Sequence, residues 1–204
     1  MSSSEKRRWP WSEAYIVAKE ICGKLKPSVH RMIVAGSFRR QKETVGDIEI
    51  LFIPLVRERV LPRPPQEQLS LLEPLKPPQI ERYPATDDAI VELEQLGLLA
   101  RRKTADGRES YGPKNKLMVH PPSGVPVDLF TATEENWWNY VVCRTGSMES
   151  NVRIAQAAKD LGLRWNPYGS GFTRLSDGSK IIVRSEREVF ETVKLPYLDP
   201  SQRT

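Results

Sequence analysis

Two carboxylates, Asp47 and Glu49, stand at the start of an apolar run that continues to Ile53. Side chains of a strand alternate between its faces, so residues two apart share a face and lie about 6.6 Å apart. Two neighbouring carboxylates repel each other, and a fold keeps such a pair when a cation lies between them. Hard divalent ions such as Mg²⁺ take carboxylate oxygens as ligands. The pair therefore predicts a metal site at the start of this strand.

A Gly-Ser turn precedes the carboxylates and follows another apolar run, Met32 to Val34. Gly36 allows a tight backbone turn, and the Ser37 hydroxyl and the amides after it can bind an anion. Arg39 and Arg40 add guanidinium groups, which suit forked contacts with phosphate oxygens. Either feature alone is also typical of an ordinary turn or a solvated strand edge. Together they favour nucleotidyl transfer, which needs a phosphate site beside metal-binding carboxylates.

These segments resemble the nucleotidyltransferase signature of DNA polymerase family X, the family of DNA polymerase beta. The stretch Gly36-Ser37-Phe38-Arg39-Arg40 matches the pattern Gly-Ser-x-Arg-Arg, and Gly46-Asp47-Ile48-Glu49 matches Gly-Asp-x-Asp. The chain departs at the second carboxylate, where Glu49 stands for Asp. The resemblance still implies metal binding there, with a shifted metal position and a lower rate.

A third carboxylate, Asp128, lies inside the apolar run Val125 to Phe130. A carboxylate among apolar residues is costly unless it is paired or bound to a metal. The resemblance implies that Asp47, Glu49 and Asp128 are the catalytic residues and hold two Mg²⁺ or Mn²⁺ ions. It further implies that Asp128 orients or deprotonates the attacking hydroxyl.

The resemblance also implies the nucleotide site. The β- and γ-phosphates would be bound by Gly36, Ser37, Arg40 and Gly46. The segment that joins palm to thumb would line the sugar and base, with contacts from Cys143, Arg144, Thr145, Gly146 and Asn151.

The pair Cys143-Arg144 departs from the family, because templated members carry Tyr-Phe there and terminal transferases carry Gly-Trp. The small Cys143 predicts a thinner wall against a ribose 2′-hydroxyl and poor selection of deoxynucleotides. In the alternative, the barrier is the backbone alone and the side chains matter little. Arg144 is a flexible cation that can reach a phosphate or the template strand.

Composition excludes several classes of protein. The chain has 204 residues, of which 39% are hydrophobic and 28% charged, as in ordinary soluble proteins. No apolar run reaches the roughly 20 residues of a membrane helix, and the N-terminus lacks the apolar core of a signal peptide. Two cysteines are too few for a disulfide framework. We therefore expect a reducing location, cytoplasmic or nuclear, and possible viral origin is left open.

Positive charge is concentrated in two segments. The net charge is +5, and residues 1–42 carry ten Lys and Arg against three Glu, while residues 101–116 carry six against two acidic residues. Such clusters are typical of proteins that bind the phosphate backbone, although a solvated basic face has the same composition. The expected partners are a DNA primer and template, or a DNA end, and a nucleoside triphosphate, bound by a monomer.

The fold class predicted is α/β, with a nucleotidyltransferase palm of mixed β-sheet and flanking helices over residues 1–143. A thumb-like subdomain follows over residues 144–204. A proline-rich insertion, residues 55–85, is predicted to be a surface loop or a tether. Helices are expected to begin at caps formed by Ser12 and by Asp87-Asp88.

The function predicted is that of a metal-dependent DNA polymerase of family X type, with a gap-filling or repair-like role. One alternative is a template-independent terminal transferase, or an enzyme that adds nucleotides to RNA or another hydroxyl. A third possibility is an inactive DNA-binding module. The presence of all three carboxylates and of Arg40 argues against the last.

Overall fold

A mixed β-sheet forms the centre of the protein. The computed structural model describes residues 7–62, 77–104 and 106–203. Its strands are β1 (Trp9–Pro10), β2 (Val29–Val34), β3 (Thr44–Val45), β4 (Ile48–Pro54), β5 (Val56–Val60), β6 (Ile80–Pro84), β7 (Ala100–Arg101), β8 (Asn115–His120), β9 (Val125–Thr131), β10 (Leu163–Trp165), β11 (Gly171–Arg174) and β12 (Lys180–Ile182). The central sheet has the order β2-β4-β9-β8-β7, in which β4 and β9 are parallel and the other neighbours antiparallel. The predicted α/β class with a mixed sheet is confirmed.

Helices cover both faces of this sheet. They are α1 (Trp11–Leu25), α2 (Gly36–Arg39), α3 (Ala85–Gln95), α4 (Trp137–Thr145), α5 (Met148–Asp160) and α6 (Glu186–Thr192), with 3₁₀ turns at Lys26–Ser28 and Pro200–Gln202. Helices α1 and α3 pack on one face, and α4 packs on the other. Across the described ranges, no helix combines the length and the apolar composition needed to cross a membrane.

Helix α1 shows why these segments fold as they do. Its buried side chains recur at helical spacing along one stripe, at Ala14, Val17, Ala18, Ile21 and Leu25. A stripe of this kind must be buried against another element, and here it contributes to the main core together with apolar residues of β4 and β9.

The predicted helix caps are wrong. Helix α1 begins at Trp11 after Pro10, and α3 begins at Ala85 after Pro84, with no side-chain cap bond at either start. Each helix follows directly from a paired strand that ends in proline, so strand pairing and the fixed proline φ set the start. Asp87 lies instead in the first turn of α3, where a carboxylate interacts favourably with the helix dipole.

The proline-rich insertion is structured at both ends, contrary to the prediction of a loop or tether. Strands β5 and β6 form an antiparallel ribbon with Val60 opposite Ile80. Two cross-strand ion pairs, Arg59 with Glu81 at 2.7 Å and Arg82 with Glu58 at 2.8 Å, lie along it. The middle of the insertion, residues 63–76, lies outside the described residues.

The C-terminal part has its own small core. Strands β10, β11 and β12 form an antiparallel sheet, and α5 and α6 pack with it. Val141 belongs to the core of the central sheet, whereas its neighbour Val142 belongs to the C-terminal core. The predicted domain boundary after residue 143 falls inside α4, so one helix joins the two cores.

Candidate active site

Two of the predicted catalytic carboxylates are direct neighbours across the central sheet. The parallel pairing of β4 with β9 sets Glu49 opposite Asp128. Both strands are dominated by buried apolar residues, which fix their place in the middle of the sheet. Both carboxylates are largely shielded, with side-chain exposures of 19% for Glu49 and 12% for Asp128. Asp47 comes directly before β4 and is half-buried.

The electrostatics of the site centre on Glu49. Burial raises the pKa of Glu49 to about 7, and the nearby Arg144 opposes this shift while the carboxylates of Asp47 and Asp128 add to it. The negative charges of Asp47 and Asp128 are therefore close enough to Glu49 to disfavour its ionisation. A cation bound there would relieve their mutual repulsion.

In this structure the counter-ions of two carboxylates are arginines. Arg144 Nη1 lies 3.3 Å from Glu49 Oε1, and Arg102 Nη2 lies 2.6 Å from Asp128 Oδ1. Within the described ranges, no cluster of three or more His, Cys, Asp or Glu side chains is arranged to hold a metal ion. The oxygen donors suit Mg²⁺ or Mn²⁺ in their chemistry, but metal binding at Glu49 and Asp128 requires these arginine contacts to change.

The Gly-Ser turn lies directly against Glu49. Gly36 has φ +63°, and a Cβ built on it would lie 2.5 Å from Glu49 Oε2. The amide of Ala35 donates to the Glu49 carbonyl at 2.7 Å. Antiparallel pairing of β2 with β4 brings the end of one strand beside the start of the other, and this adjacency follows from it. The residues predicted to bind phosphate and those predicted to bind metal are therefore in contact.

The remaining predicted nucleotide residues gather around the end of α4. Arg40 Nη1 donates to the carbonyls of Thr145 at 2.7 Å and Gly146 at 3.1 Å. Asn151 Nδ2 donates to the carbonyl of Cys143 at 2.8 Å. In this structure the donors of both side chains therefore bind backbone carbonyls of the joining segment.

Three other residues of the predicted nucleotide site, Gly46, Ser37 and Cys143, are buried or half-buried. Gly46 is buried immediately before the first carboxylate, and Ser37 is half-buried in α2. Burial raises the pKa of the Cys143 thiol to about 11. The thiol is therefore neutral at physiological pH and unsuited to act as a nucleophile.

An ion cluster that sequence reasoning missed ties the Gly-Ser turn to the C-terminal part. Arg39 Nη2 lies 2.5 Å from Glu186 Oε1, and Arg203 Nη2 lies 2.8 Å from Glu186 Oε2. Arg39 Nη1 also donates to Thr145 Oγ1 at 2.8 Å. Arg39 belongs to the Gly-Ser-x-Arg-Arg motif, but no local pattern marks Glu186 as its partner. Arg102 was missed for the same reason, because its sequence context is only a basic segment.

Two comparisons with known proteins bear on this geometry. Residues 140–204, about a third of the chain, match the family model of the DNA polymerase beta thumb. The whole sequence is similar to the DNA polymerase/3′-5′ exonuclease PolX of Bacillus subtilis (strain 168), with 26% identity over 204 residues, covering 99% of this chain. The chain is a family X polymerase-like protein.

The two matches differ in how much of this polymerase-like chain they cover. The thumb match begins within α4 and includes Arg144, Gly146 and Asn151. The three carboxylates lie outside the thumb match but inside the range aligned with the Bacillus relative. The chain spans about 30% of the length of that relative.

Proposed function

We propose that this protein is a metal-dependent nucleotidyltransferase that adds nucleotides from dNTPs to a 3′-hydroxyl of DNA, as in gap filling or repair. The observation that carries the proposal is the contact between the two halves of the site. The turn at Gly36 lies against the Glu49 carboxylate, and Glu49 pairs in register with Asp128. The similarity to a protein named as a DNA polymerase supports the same reaction.

In this proposal Asp47, Glu49 and Asp128 hold two divalent metal ions, Mg²⁺ or Mn²⁺. When bound, the ions neutralise charge that develops on the attacking and leaving oxygens. Asp128 orients the attacking hydroxyl and accepts its proton once metal binding has changed its contact with Arg102.

In this proposal the nucleotide lies between the Gly-Ser turn on one side and the end of α4 with the start of α5 on the other. Gly36, Ser37, Arg40 and Gly46 bind the β- and γ-phosphates. The sugar and base are lined by Cys143, Arg144, Thr145, Gly146 and Asn151. Residues 1–143 then act as the palm and residues 144–204 as the thumb, in a monomer that binds the DNA primer and template.

Primer extension tests the proposal. The purified protein is given Mg²⁺, dNTPs and primers on recessed, gapped and single-stranded substrates. We expect incorporation on templated substrates by the wild type and a loss of about a hundredfold or more in the Asp128→Asn variant, because a metal ligand and proton acceptor is removed. Asp88→Asn, a change on the exposed surface of α3, is the matched control and retains activity.

The other outcomes identify different functions. Near wild-type turnover by Asp128→Asn in Mg²⁺ would contradict the assignment of the third carboxylate. Equal extension with and without a template would identify a terminal transferase. DNA binding with no incorporation under any condition would identify an inactive binding module.

A further inference from the structure

Arg144 is enclosed by aromatic rings. Its guanidinium carbon lies 3.7 Å from the ring centre of Phe130, 5.4 Å from that of Tyr168 and 5.5 Å from that of Tyr140. Only 23% of the side chain is exposed. A guanidinium over aromatic faces is attracted by the ring quadrupoles, more strongly when water is excluded. These rings therefore hold the charge of Arg144 in place.

The guanidinium held by these rings also contacts Glu49, one of the predicted metal-binding carboxylates. Arg144 Nη1 is 3.3 Å from Glu49 Oε1, and Glu49 is opposite Asp128 in the sheet. The rings come from three elements or segments, with Phe130 on β9, Tyr140 on α4 and Tyr168 after β10. The rings therefore fix the position of the Arg144 guanidinium before it pairs with Glu49. A long surface side chain, in contrast, loses rotamer entropy when it forms an ion pair.

We propose that Arg144 is a resident counter-ion of Glu49 that competes directly with a divalent cation for this carboxylate and lowers the metal affinity of the site. This inference rests on the proposed function, since it concerns the metal site of that reaction. A lone pair of Glu49 that accepts from the guanidinium is not available to a metal. A metal ion held by Glu49 would also be repelled by the neighbouring guanidinium, more strongly where water is partly excluded.

The arrangement makes metal binding at Glu49 an exchange of one cation for another. A metal ion that binds Oε1 of Glu49 competes with Nη1 of Arg144 for that oxygen. A neutral side chain at position 144 removes this competitor and leaves the carboxylates in place. Removing Arg144 therefore tightens metal binding, whereas the loss of a group that helps metal binding would weaken it.

The test measures metal binding to the free protein, without DNA or nucleotide. Mn²⁺ is titrated into the full chain at pH 8, above the pKa of Glu49 of about 7, and free Mn²⁺ is followed by electron paramagnetic resonance. We expect Arg144→Met and Arg144→Gln to bind Mn²⁺ about tenfold more tightly or better, a difference worth about 1.4 kcal/mol. Arg144→Lys keeps the charge and stays close to the wild type. Far-ultraviolet circular dichroism verifies that each variant is folded. If only one of the two neutral variants folds, its Mn²⁺ affinity is sufficient for the test.

Arg31 provides a matched control. Its guanidinium also lies over aromatic rings, 5.2 Å from Trp137 and 5.5 Å from Trp138, and 3.7 Å from the Glu134 carboxylate. The Arg31→Met variant also replaces a guanidinium that lies over aromatic rings, but at a site away from Glu49. Its Mn²⁺ affinity should therefore equal that of the wild type.

A double-mutant cycle assigns the effect to the pair. In a Glu49→Gln background the replacement Arg144→Met should no longer tighten Mn²⁺ binding, because the shared carboxylate is gone. Equal or weaker binding by the neutral Arg144 variants would overturn the inference and leave the proposed metal site standing. If neither the wild type nor the variants bind Mn²⁺, the inference and the metal part of the proposed function both fail.

Discussion

At the scale of single residues, Glu49 has the most unusual environment of the predicted site. It is the residue that departs from the family signature, and it touches both the Gly36 turn and Arg144. Its raised pKa means that the folded protein binds a proton at Glu49 more tightly than the unfolded chain does. Stability is therefore coupled to the charge of this one carboxylate.

We predict that ionisation of Glu49 destabilises the metal-free protein. Below pH 4.5 the carboxyl is protonated in both states, and the stability falls as the pH rises to about 7, where the folded form ionises. Between pH 4.5 and 8 the wild type should lose about 2–3 kcal/mol relative to Glu49→Gln, from about 1.4 kcal/mol per pKa unit less some solvent screening. Urea unfolding of both proteins in EDTA measures this difference. A constant difference at both pH values would refute the prediction.

A second prediction at this scale concerns Gly36. The change Gly36→Ala places a methyl group 2.5 Å from Glu49 Oε2 at φ +63°, so it displaces the carboxylate and strains the turn. Gly97→Ala is the matched control, because its φ is +69° and nothing lies within 4 Å of the added Cβ. Both should lose about 1–2 kcal/mol of stability from backbone strain. Only Gly36→Ala should also lose nucleotide incorporation. Equal incorporation by the two variants would mean that the Gly36 turn is not part of the active site.

At the scale of elements, α4 joins the central sheet to the C-terminal sheet through the buried Asn139. Its amide nitrogen donates to the carbonyls of Asn166 at 2.5 Å and Gly169 at 3.0 Å. Its oxygen accepts from Trp165 Nε1 at 2.7 Å. One side chain therefore satisfies three polar groups of the segment that begins the C-terminal sheet.

We predict that Asn139→Leu destabilises the protein by about 2–4 kcal/mol, because the Trp165 indole and the Gly169 carbonyl each lose a hydrogen bond and each such loss costs about 1–3 kcal/mol. The Asn166 carbonyl keeps its bond from the Gly169 amide. The measurement is the free energy of unfolding in urea. The control is Gln156→Leu on the exposed side of α5, which should change stability by no more than about 0.5 kcal/mol. A small effect of Asn139→Leu would mean that packing alone holds α4 to the C-terminal sheet.

At the scale of the whole molecule, the ion cluster of Arg39, Glu186 and Arg203 connects the Gly-Ser turn to the last described residues. Arg203 is fully buried, and Glu186 is 8% exposed. Breaking a buried ion pair from one side leaves an uncompensated charge. Arg39 and Arg203 are therefore joined through Glu186, so a change in the C-terminal part can reach the proposed site.

Net charge leads to a prediction for DNA binding. The chain carries +5, so contacts with phosphates should release counterions and affinity should fall steeply with salt. In the run Arg101-Arg102-Lys103, Arg102 holds Asp128 and Arg101 contacts Glu94. The exposed Lys103 is therefore the residue of this run to test, together with Arg7. Replacing either Arg7 or Lys103 with Gln should reduce the salt slope by about one.

Fluorescence anisotropy with a recessed DNA duplex at increasing salt measures this slope. Lys24→Gln serves as the control, since Lys24 of α1 already pairs with Glu92 of α3. An affinity that is unchanged between low and physiological salt would remove the electrostatic basis of the proposed DNA binding.

The local features of this protein were determined by its sequence alone. Apolar runs predicted β4 and β9, and a helix was expected near Ser12, where α1 lies. The Gly-Ser and Gly-Asp motifs indicated the polymerase-like family, which the comparisons support. These features depend on residues a few positions apart, whose spacing can be seen directly in the chain. The assignment of the catalytic and nucleotide-binding residues stays a prediction.

Only the tertiary structure decided which charges meet. Arg144 binds Glu49 across 95 positions and Arg39 binds Glu186 across 147, and no periodicity specifies such pairs. Sheet pairing also overruled local cap signals, as at Ser12, because hydrogen bonds of β1 with β3 fix where α1 begins. Electrostatic partners and element starts depend on contacts formed after the chain has folded, and the sequence lists residues without the distances between them.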